Sequence, residues 1–224
     1  MRFGRLTGIP GLLVLTAVLT GCTSVVTGTA SPASALQTAL LRLHDLPAGW
    51  TEGQEPPRDS GMMTTYRACL GLPTRTDERL EVAVSPYFVD DGGNTLSSAA
   101  SRYPPERIAE DTAGFGDVRA PDCFGRALTE DMQAHLPLGA AMGTPDVSVV
   151  PGNGDGPSNV VAIVTAGLST TSSTGVTSTL CLQYWFLTGR SAEAVVGFSS
   201  RDALLPHGLT IRAVTAVAER IAAL

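Results

Sequence analysis

Residues 160–199 read VVAIVTAGLSTTSSTGVTSTLCLQYWFLTGRSAEAVVGFS, and this stretch decides the fold. It contains three runs rich in β-branched and aromatic residues, at 160–168, 176–187 and 192–199. Runs of this kind, separated by turn residues, are typical of β-strands. A turn rich in Ser, Thr and Gly separates the first two runs, and the next connection is short enough for a tight hairpin. Together with a short strand at 146–150, the pattern predicts an antiparallel meander.

The segments outward from this meander have helical spacing. Residues 208–224 place several apolar side chains on one face, which predicts a C-terminal helix packed on the sheet. Residues 36–44 predict a short amphipathic helix, and residues 66–72 predict one helical turn. Pro104 and Pro105 begin a third helical segment. The apolar side chains of the C-terminal helix are Leu209, Val214, Val217, Ala218 and Ile221.

Two further elements complete the prediction for the fold. Asp122 is expected to cap a central helix over 123–135. A strand is expected over 81–89, where Pro86 indicates an edge position or a bulge. Consecutive hairpin-linked strands with helices grouped before and after them indicate an α+β fold rather than a doubly wound sheet. We therefore predict an antiparallel meander sheet packed against N-terminal, central and C-terminal helices.

The N-terminal 22 residues have the organisation of an export signal. Arg2 and Arg5 precede an apolar run at 9–18, and the segment ends in Leu-Thr-Gly-Cys at 19–22. The apolar run has roughly ten residues, against about twenty for a membrane-spanning helix, which indicates a cleaved signal peptide. The last four residues resemble the bacterial lipobox. That resemblance implies cleavage before Cys22 and a diacylglyceryl lipid, with palmitate-like chains, on its thiol.

The export signal divides the chain into three expected parts. These are a signal peptide at 1–21, a lipidated flexible tether at 22–35 and a single α+β domain at 36–224. The tether is small, polar and uncharged, a composition that does not bury enough surface to fold. The Gly-Thr-Ala at 28–30 and the absence of lysine make the chain similar to actinobacterial, mycobacterial-type cell-envelope lipoproteins. The expected location is the extracytoplasmic face of the cell membrane.

The four cysteines are Cys22, Cys69, Cys123 and Cys181. If Cys22 carries lipid, three remain in an oxidising compartment, where thiols pair. Cys181 lies in a run that reads as a central strand, where a buried, unreactive thiol is common. Cys69 and Cys123 both lie beside short helices in the first half of the chain. We therefore predict a Cys69–Cys123 disulfide and a free Cys181.

The charge balance excludes some classes of partner. Of the 15 basic residues, Arg2 and Arg5 belong to the signal, so the mature chain has 13 basic against 21 acidic residues, a net charge of about −8. An acidic domain without a basic cluster is a poor candidate for nucleic acid or for anionic lipid headgroups. Attachment to the membrane is therefore expected through the lipid on Cys22.

Familiar catalytic patterns are not found in the sequence. His44, His135 and His207 lie near expected helix ends and are too far apart in sequence for metal-ligand spacing. The segment 167–175 lacks the Gly-x-Ser-x-Gly spacing of a serine hydrolase and reads as a hairpin loop. The Gly-rich segments at 90–94 and 152–156 lack the features of phosphate or EF-hand loops. We assign no catalytic, cofactor-binding or metal-ligating residue.

The aromatic run Tyr184-Trp185-Phe186 is the candidate for a pocket. On a strand, Trp185 faces one side of the sheet while Tyr184 and Phe186 face the other. Either set can line an apolar pocket between sheet and helices, although aromatic side chains in such a position also serve as ordinary core.

The order of elements also resembles a known group of domains. The features that carry this resemblance are the opening helix with Leu-Pro-Ala-Gly-Trp at 46–50, the cysteine-bearing central helices, the meander of 146–200 and the closing helix. The arrangement is similar to PsbP-like domains and to PknH-type extracellular sensor domains. Together with the expected tether and the lack of catalytic patterns, this resemblance implies a non-enzymatic envelope module that binds a small molecule, a lipid or an envelope protein. Alternatives are an envelope hydrolase whose site assembles only in the fold, and a structural accessory subunit.

Overall fold

The predicted meander forms the middle of a nine-stranded antiparallel sheet in the computed structural model, which describes residues 34–53, 61–73, 79–136, 138–152 and 156–224. The strands are β1 Trp50–Glu52, β2 Glu81–Val84, β3 Phe88–Asp90, β4 Thr95–Arg102, β5 Ala141–Met142, β6 Asp146–Pro151, β7 Val160–Thr171, β8 Thr177–Thr188 and β9 Ala192–Arg201. They run in the order β1-β3-β4-β9-β8-β7-β5, while β2 pairs with β4 and β6 pairs with β7. The α+β prediction is confirmed.

Helices cover both faces of this sheet. The helices are α1 Ala35–Ala39, α2 Met62–Leu70, α3 Pro105–Phe115, α4 Ala120–His135 and α5 His207–Ala222, with a 3₁₀ turn at Leu43–Asp45. Because neighbouring residues of a strand point to opposite faces, the central strands β7, β8 and β9 contribute side chains to cores on both faces. The first core packs α1 and α5 against one face, and the second packs α2, α3 and α4 against the other.

The C-terminal helix packs as its spacing predicts. Val214, Val217 and Ile221 are fully buried, and Ala218 is 1% exposed. Full burial of a Val or Ile side chain contributes about 1.5–3 kcal/mol, so this face alone is a large part of the attachment of α5 to the sheet. Leu209, at the start of the helix, is only partly buried against the same core.

The helix expected over 36–44 is wrong in its extent, because the chain leaves the helix at Leu40. That residue is extended, with φ −74° and ψ 167°. The next residue, Leu41, donates its backbone N–H to the Ser98 hydroxyl at 2.9 Å. This bond ties the chain to β4, and Leu40 and Leu41 are both only 1% exposed.

The strand expected over 81–89 is interrupted at Pro86, as a residue without an N–H requires. Ser85 bridges the gap: its hydroxyl donates to the Pro86 carbonyl at 2.7 Å and accepts the Ser98 N–H at 2.8 Å. The partner strand β4 was not predicted. Its Ser- and Ala-rich sequence carries little β-propensity, and pairing with β9 over eight residues holds it in the sheet.

Two helix predictions also need correction. The single turn expected at 66–72 is the nine-residue helix α2, which ends at Gly71 with φ 77°, the left-handed conformation that glycine adopts without strain. The cap predicted at Asp122 is wrong, because α4 begins at Ala120 with Arg119 in the cap position. Asp122 instead lies in the first turn, where a negative charge is favourable.

Candidate functional site

A disulfide joins α2 to α4 and confirms the predicted pair Cys69–Cys123. The two Cα atoms lie 5.5 Å apart, and the bridge spans 54 residues of sequence. Cys181, on β8, is a free and half-buried thiol. Cys22, together with the signal segment and all of the tether before residue 34, lies outside the described residues. The bridge fixes α2 and α4 side by side over the second core.

The aromatic run on β8 divides between the two faces of the sheet. Trp185 lies in the core under α1 and α5 with 2% exposure, and its indole N–H has no hydrogen-bond partner among the described residues. Tyr184 and Phe186 lie in the core under α2, α3 and α4. The ring of Phe186 is 4.4 Å from that of Phe115, and the ring of Tyr184 is 5.6 Å from that of Phe124.

A cleft of about 100 Å³ opens between α3 and the sheet, next to this aromatic cluster. Its floor consists of β4, β8 and β9, and its wall consists of α3 together with Met63 of α2. Phe186 is the one member of the predicted aromatic run that lines it. The space exists because β4 presents Ala99 and Ser101, two small side chains, at the floor. Apolar walls with a few polar groups are the composition of small-molecule sites.

A network of buried charged residues joins α2 and α3 beside the cleft. Arg67 of α2 is 1% exposed and contacts the Asp111 carboxylate, while a second nitrogen of its guanidinium lies 2.9 Å from Glu110. Arg67 also donates to the Pro73 carbonyl at 3.0 and 2.7 Å. Arg107 reaches the second oxygen of Asp111 at 3.1 Å. Because one carboxylate accepts from two arginines, the network locks α2 to α3.

The rim of the cleft carries an aromatic ring with a cation over it. The guanidinium of Arg107 lies 4.8 Å from the centre of the Tyr103 ring. A guanidinium at this distance is attracted to the negative face of the ring. Asp111 and Tyr103 both line the cleft, so the charge network and the rim belong to one site.

Glu193 of β9 contributes a carboxyl group to the same cleft. It is half-buried, and among the described residues its carboxyl group makes no hydrogen bond or ion pair. Burial raises its pKa to about 7, although the positive charges of Arg107 and Arg67 oppose the rise. Removing a carboxyl group from water disfavours its charged form. The cleft therefore contains an acid that changes its charge near neutral pH.

The charged residues of this site were missed at the sequence level, although β9 carries a signal. Glu193 alternates with Ala192 and Ala194, and it shares a sheet face with Val195. A charged residue on a face that helices must cover is unusual and points to a special role. Arg67, Arg107 and Asp111 carry no comparable signal, because they lie on helices whose mutual packing is a tertiary property.

The three histidines do not meet a serine in the described part of the chain. The ring of His44 lies 3.5 Å from Asp45, and the ring of His135 lies 2.8 Å from the Asp131 carbonyl oxygen. All three histidines are exposed.

The hydroxyl-rich loop begins later than expected, because residues 167–171 continue β7. Hydroxyl groups pair across the hairpin, as Thr171 does with Thr177 at 3.0 Å.

Other concave surfaces are wider and more polar. One of about 440 Å³ lies between residues 156–159 and α5, and one of about 500 Å³ lies between α4 and the start of β6. Small and polar side chains line both.

Among the described residues, no group of His, Cys, Asp and Glu is placed to hold a metal ion. No helix in that part of the chain is long and apolar enough to cross a membrane.

Comparison with known proteins gives no family assignment. No model of a protein family matches the chain, and no curated protein is significantly similar to it.

Proposed function

We propose that this protein is an exported lipoprotein, held to the outer face of the cell membrane by lipid on Cys22, whose domain binds a small ligand in the cleft between α3 and the sheet. The observation that carries the proposal is the cleft itself. Apolar side chains line it, among them Phe115 in the wall and Phe186 in the floor, and the carboxyl group of Glu193 supplies a polar contact. This combination provides both binding energy and orientation for a ligand.

The support for export comes from the cysteines. Disulfides persist in oxidising compartments and are rare in the cytosol, so the Cys69–Cys123 bridge agrees with a signal peptide at 1–21. Lipid on Cys22 would supply two acyl chains, and stable anchoring takes two such signals. A polar tether of 22–35 would then separate the domain from the bilayer.

The size of the cleft favours a small molecule, or a small group of a larger one, over a whole lipid chain. About 100 Å³ is available, and a cavity of about 150 Å³ holds a benzene ring. By proportion, about four non-hydrogen atoms fit inside. The rest of a larger ligand would extend over the half-buried strand β4 or into solvent.

Methyl NMR tests for binding in the cleft. Of the five methionines in the chain, Met63 lines the cleft, whereas Met132 and Met142 pack in a separate cluster. In full-length protein labelled with methyl-¹³C methionine, small probes such as n-propanol should shift the Met63 resonance saturably. The signals of Met132 and Met142 should stay in place. The Met63 signal is assigned with the Met63→Leu variant.

A filled cleft provides the control for this experiment. Ala99→Phe places a ring in the cleft and should abolish the Met63 response. Ser97→Phe changes the same face of β4 two residues away, outside the cleft lining, and should preserve it. Native mass spectrometry of the same proteins should show any co-purified ligand in wild type and in Ser97→Phe but not in Ala99→Phe. A Met63 signal that no probe moves in a folded protein would refute the proposal for the cleft.

Metabolic labelling tests the anchor. Cells that express the wild-type chain with labelled palmitate should yield labelled protein in the membrane fraction. Cys22→Ala should abolish the label and release or mislocalise the protein, because the thiol is the site of attachment. Cys181→Ala is the matched control and should leave the label unchanged. Equal labelling of Cys22→Ala would show that the lipoprotein prediction is wrong.

A further inference from the structure

The chemistry of the cleft follows from the charges that converge on it. Arg67 and Arg107 contribute two positive charges, and both contact the carboxylate of Asp111. Glu110 accepts from Arg67 at 2.9 Å. Together with Glu193, the set contains three carboxyl groups and two guanidinium groups. When Glu193 is ionised, its negative charge has no direct ion pair within this set.

The position of that unbalanced charge distinguishes Glu193 from the other two acids. The carboxylate of Asp111 is 5% exposed and is already shared by two arginines. Glu110 is engaged with Arg67. Glu193 instead projects from the sheet floor into the open cleft, where Thr188 and Ser101, its cross-strand neighbours, are uncharged. A ligand cation in the cleft would meet the one carboxyl group of these three that has no ion pair with Arg67 or Arg107.

We propose that the cleft binds the aminoalkyl end of a small organic amine, with the Glu193 carboxylate as its counter-ion and the apolar walls around its short alkyl stem. This inference rests on the proposed function, because it names the class of ligand that the same cleft takes. A charge-assisted hydrogen bond from ammonium to carboxylate is among the stronger polar contacts in proteins.

Size and composition agree with this assignment. The cleft volume of about 100 Å³ corresponds to about four non-hydrogen atoms by proportion to a benzene-sized cavity, which is the size of n-propylammonium. Met63, Phe115 and Val195 are placed to contact the stem. The chain contains no lysine, so none of its own side chains can supply a primary amine to the site.

The test compares three probes of nearly equal size at the Met63 methyl group. Full-length protein is titrated at pH 8 with n-propylammonium, n-propanol and propionate. The amine should bind roughly tenfold or more tightly than the alcohol, as a hydrogen bond to a charged group predicts. Propionate should bind weakest. Glu193→Gln should remove the preference for the amine over the alcohol. Glu193→Asp should retain part of this preference, and Glu106→Gln, an exposed change on α3, should retain all of it.

A pH series gives a second measurement. Glu193 must be ionised to act as counter-ion, whereas the ammonium group stays charged throughout the range. The amine affinity of wild-type protein should therefore rise by up to about tenfold per unit as the pH increases from 5.5 towards 7 and then level off. The charged groups that face Glu193 from the packed helices are the guanidinium groups of Arg67 and Arg107, with the Asp111 and Glu110 carboxyl groups that contact them. In Glu193→Gln the affinity should not depend on pH.

The outcomes separate the two proposals. Equal binding of amine and alcohol, a preference for propionate, or an unchanged amine affinity in Glu193→Gln would overturn the amine inference and leave the cleft as a ligand site. A Met63 signal that none of the three probes moves would overturn both.

Discussion

Replacing Glu193 by glutamine should make the folded protein more stable at alkaline pH and leave it nearly unchanged at acidic pH. In the folded protein, burial raises the pKa of this carboxyl group to about 7 from a model value of 4.5. The folded state therefore holds a proton that the unfolded chain releases. The stability from this proton is fully present below about pH 4.5 and is lost as the pH rises through 7.

The magnitude follows from the size of the shift. A rise from 4.5 to about 7, at about 1.4 kcal/mol per pH unit, sets an upper limit between about 3 and 4 kcal/mol. Because the cleft is open to solvent, we expect about 2 kcal/mol after screening. For a domain of this size that corresponds to an increase in Tm of about 4–8 °C at pH 8.

Urea and thermal unfolding of wild type, Glu193→Gln and the exposed control Glu106→Gln between pH 4.5 and 8.5 measure this effect. The difference between Glu193→Gln and wild type should grow as the pH rises from 4.5 towards 7 and then level off, while the difference for Glu106→Gln should stay flat. This experiment needs no ligand, so it tests the environment of the carboxyl group independently of the binding proposal. Parallel pH profiles for Glu193→Gln and wild type would refute the reasoning.

Two further predictions concern the contacts that hold α2 in place. Removing the disulfide with Cys69→Ala and Cys123→Ala should lower the free energy of unfolding by about 4 kcal/mol, because the bridge closes a loop of 54 residues. Urea unfolding measures this loss, with Cys181→Ala as the control. A loss below about 1 kcal/mol would contradict the prediction. Asp111→Asn leaves the buried Arg67 without its shared carboxylate and should cost about 3–5 kcal/mol by the same assay. An Asp111→Asn variant as stable as wild type would show that Glu110 and the Pro73 carbonyl satisfy Arg67 alone.

The parts of the fold that the sequence predicts are those specified by local patterns. Two such patterns are the apolar alternation along β7, β8 and β9 and the helical spacing of Val214, Val217 and Ile221. They identify the meander and the closing helix because each element buries a continuous apolar face. The pairing of Cys69 with Cys123 was also predictable, because the sequence places Cys181 in a strand and Cys22 in a segment that resembles a lipobox.

Other elements depend on contacts between distant segments. Strand β4 has a Ser- and Ala-rich sequence, so its pairing with β9, about 100 residues later, determines its conformation. The helix at 36–44 ends early because Leu41 bonds to Ser98, 57 residues away. Neither partner can be identified from the pattern around the residue itself.

The candidate site shows the same division between sequence and tertiary structure. The sequence by itself determines the α+β class, the closing helix, the opposite faces of Trp185 and Phe186 and the acidic charge. Only the tertiary structure brings Arg67, Asp111 and Glu193 together, because they come from α2, α3 and β9. The physical reason is that the environment of a charge is set by what packs around it, and here distant segments supply both the burial and the partners.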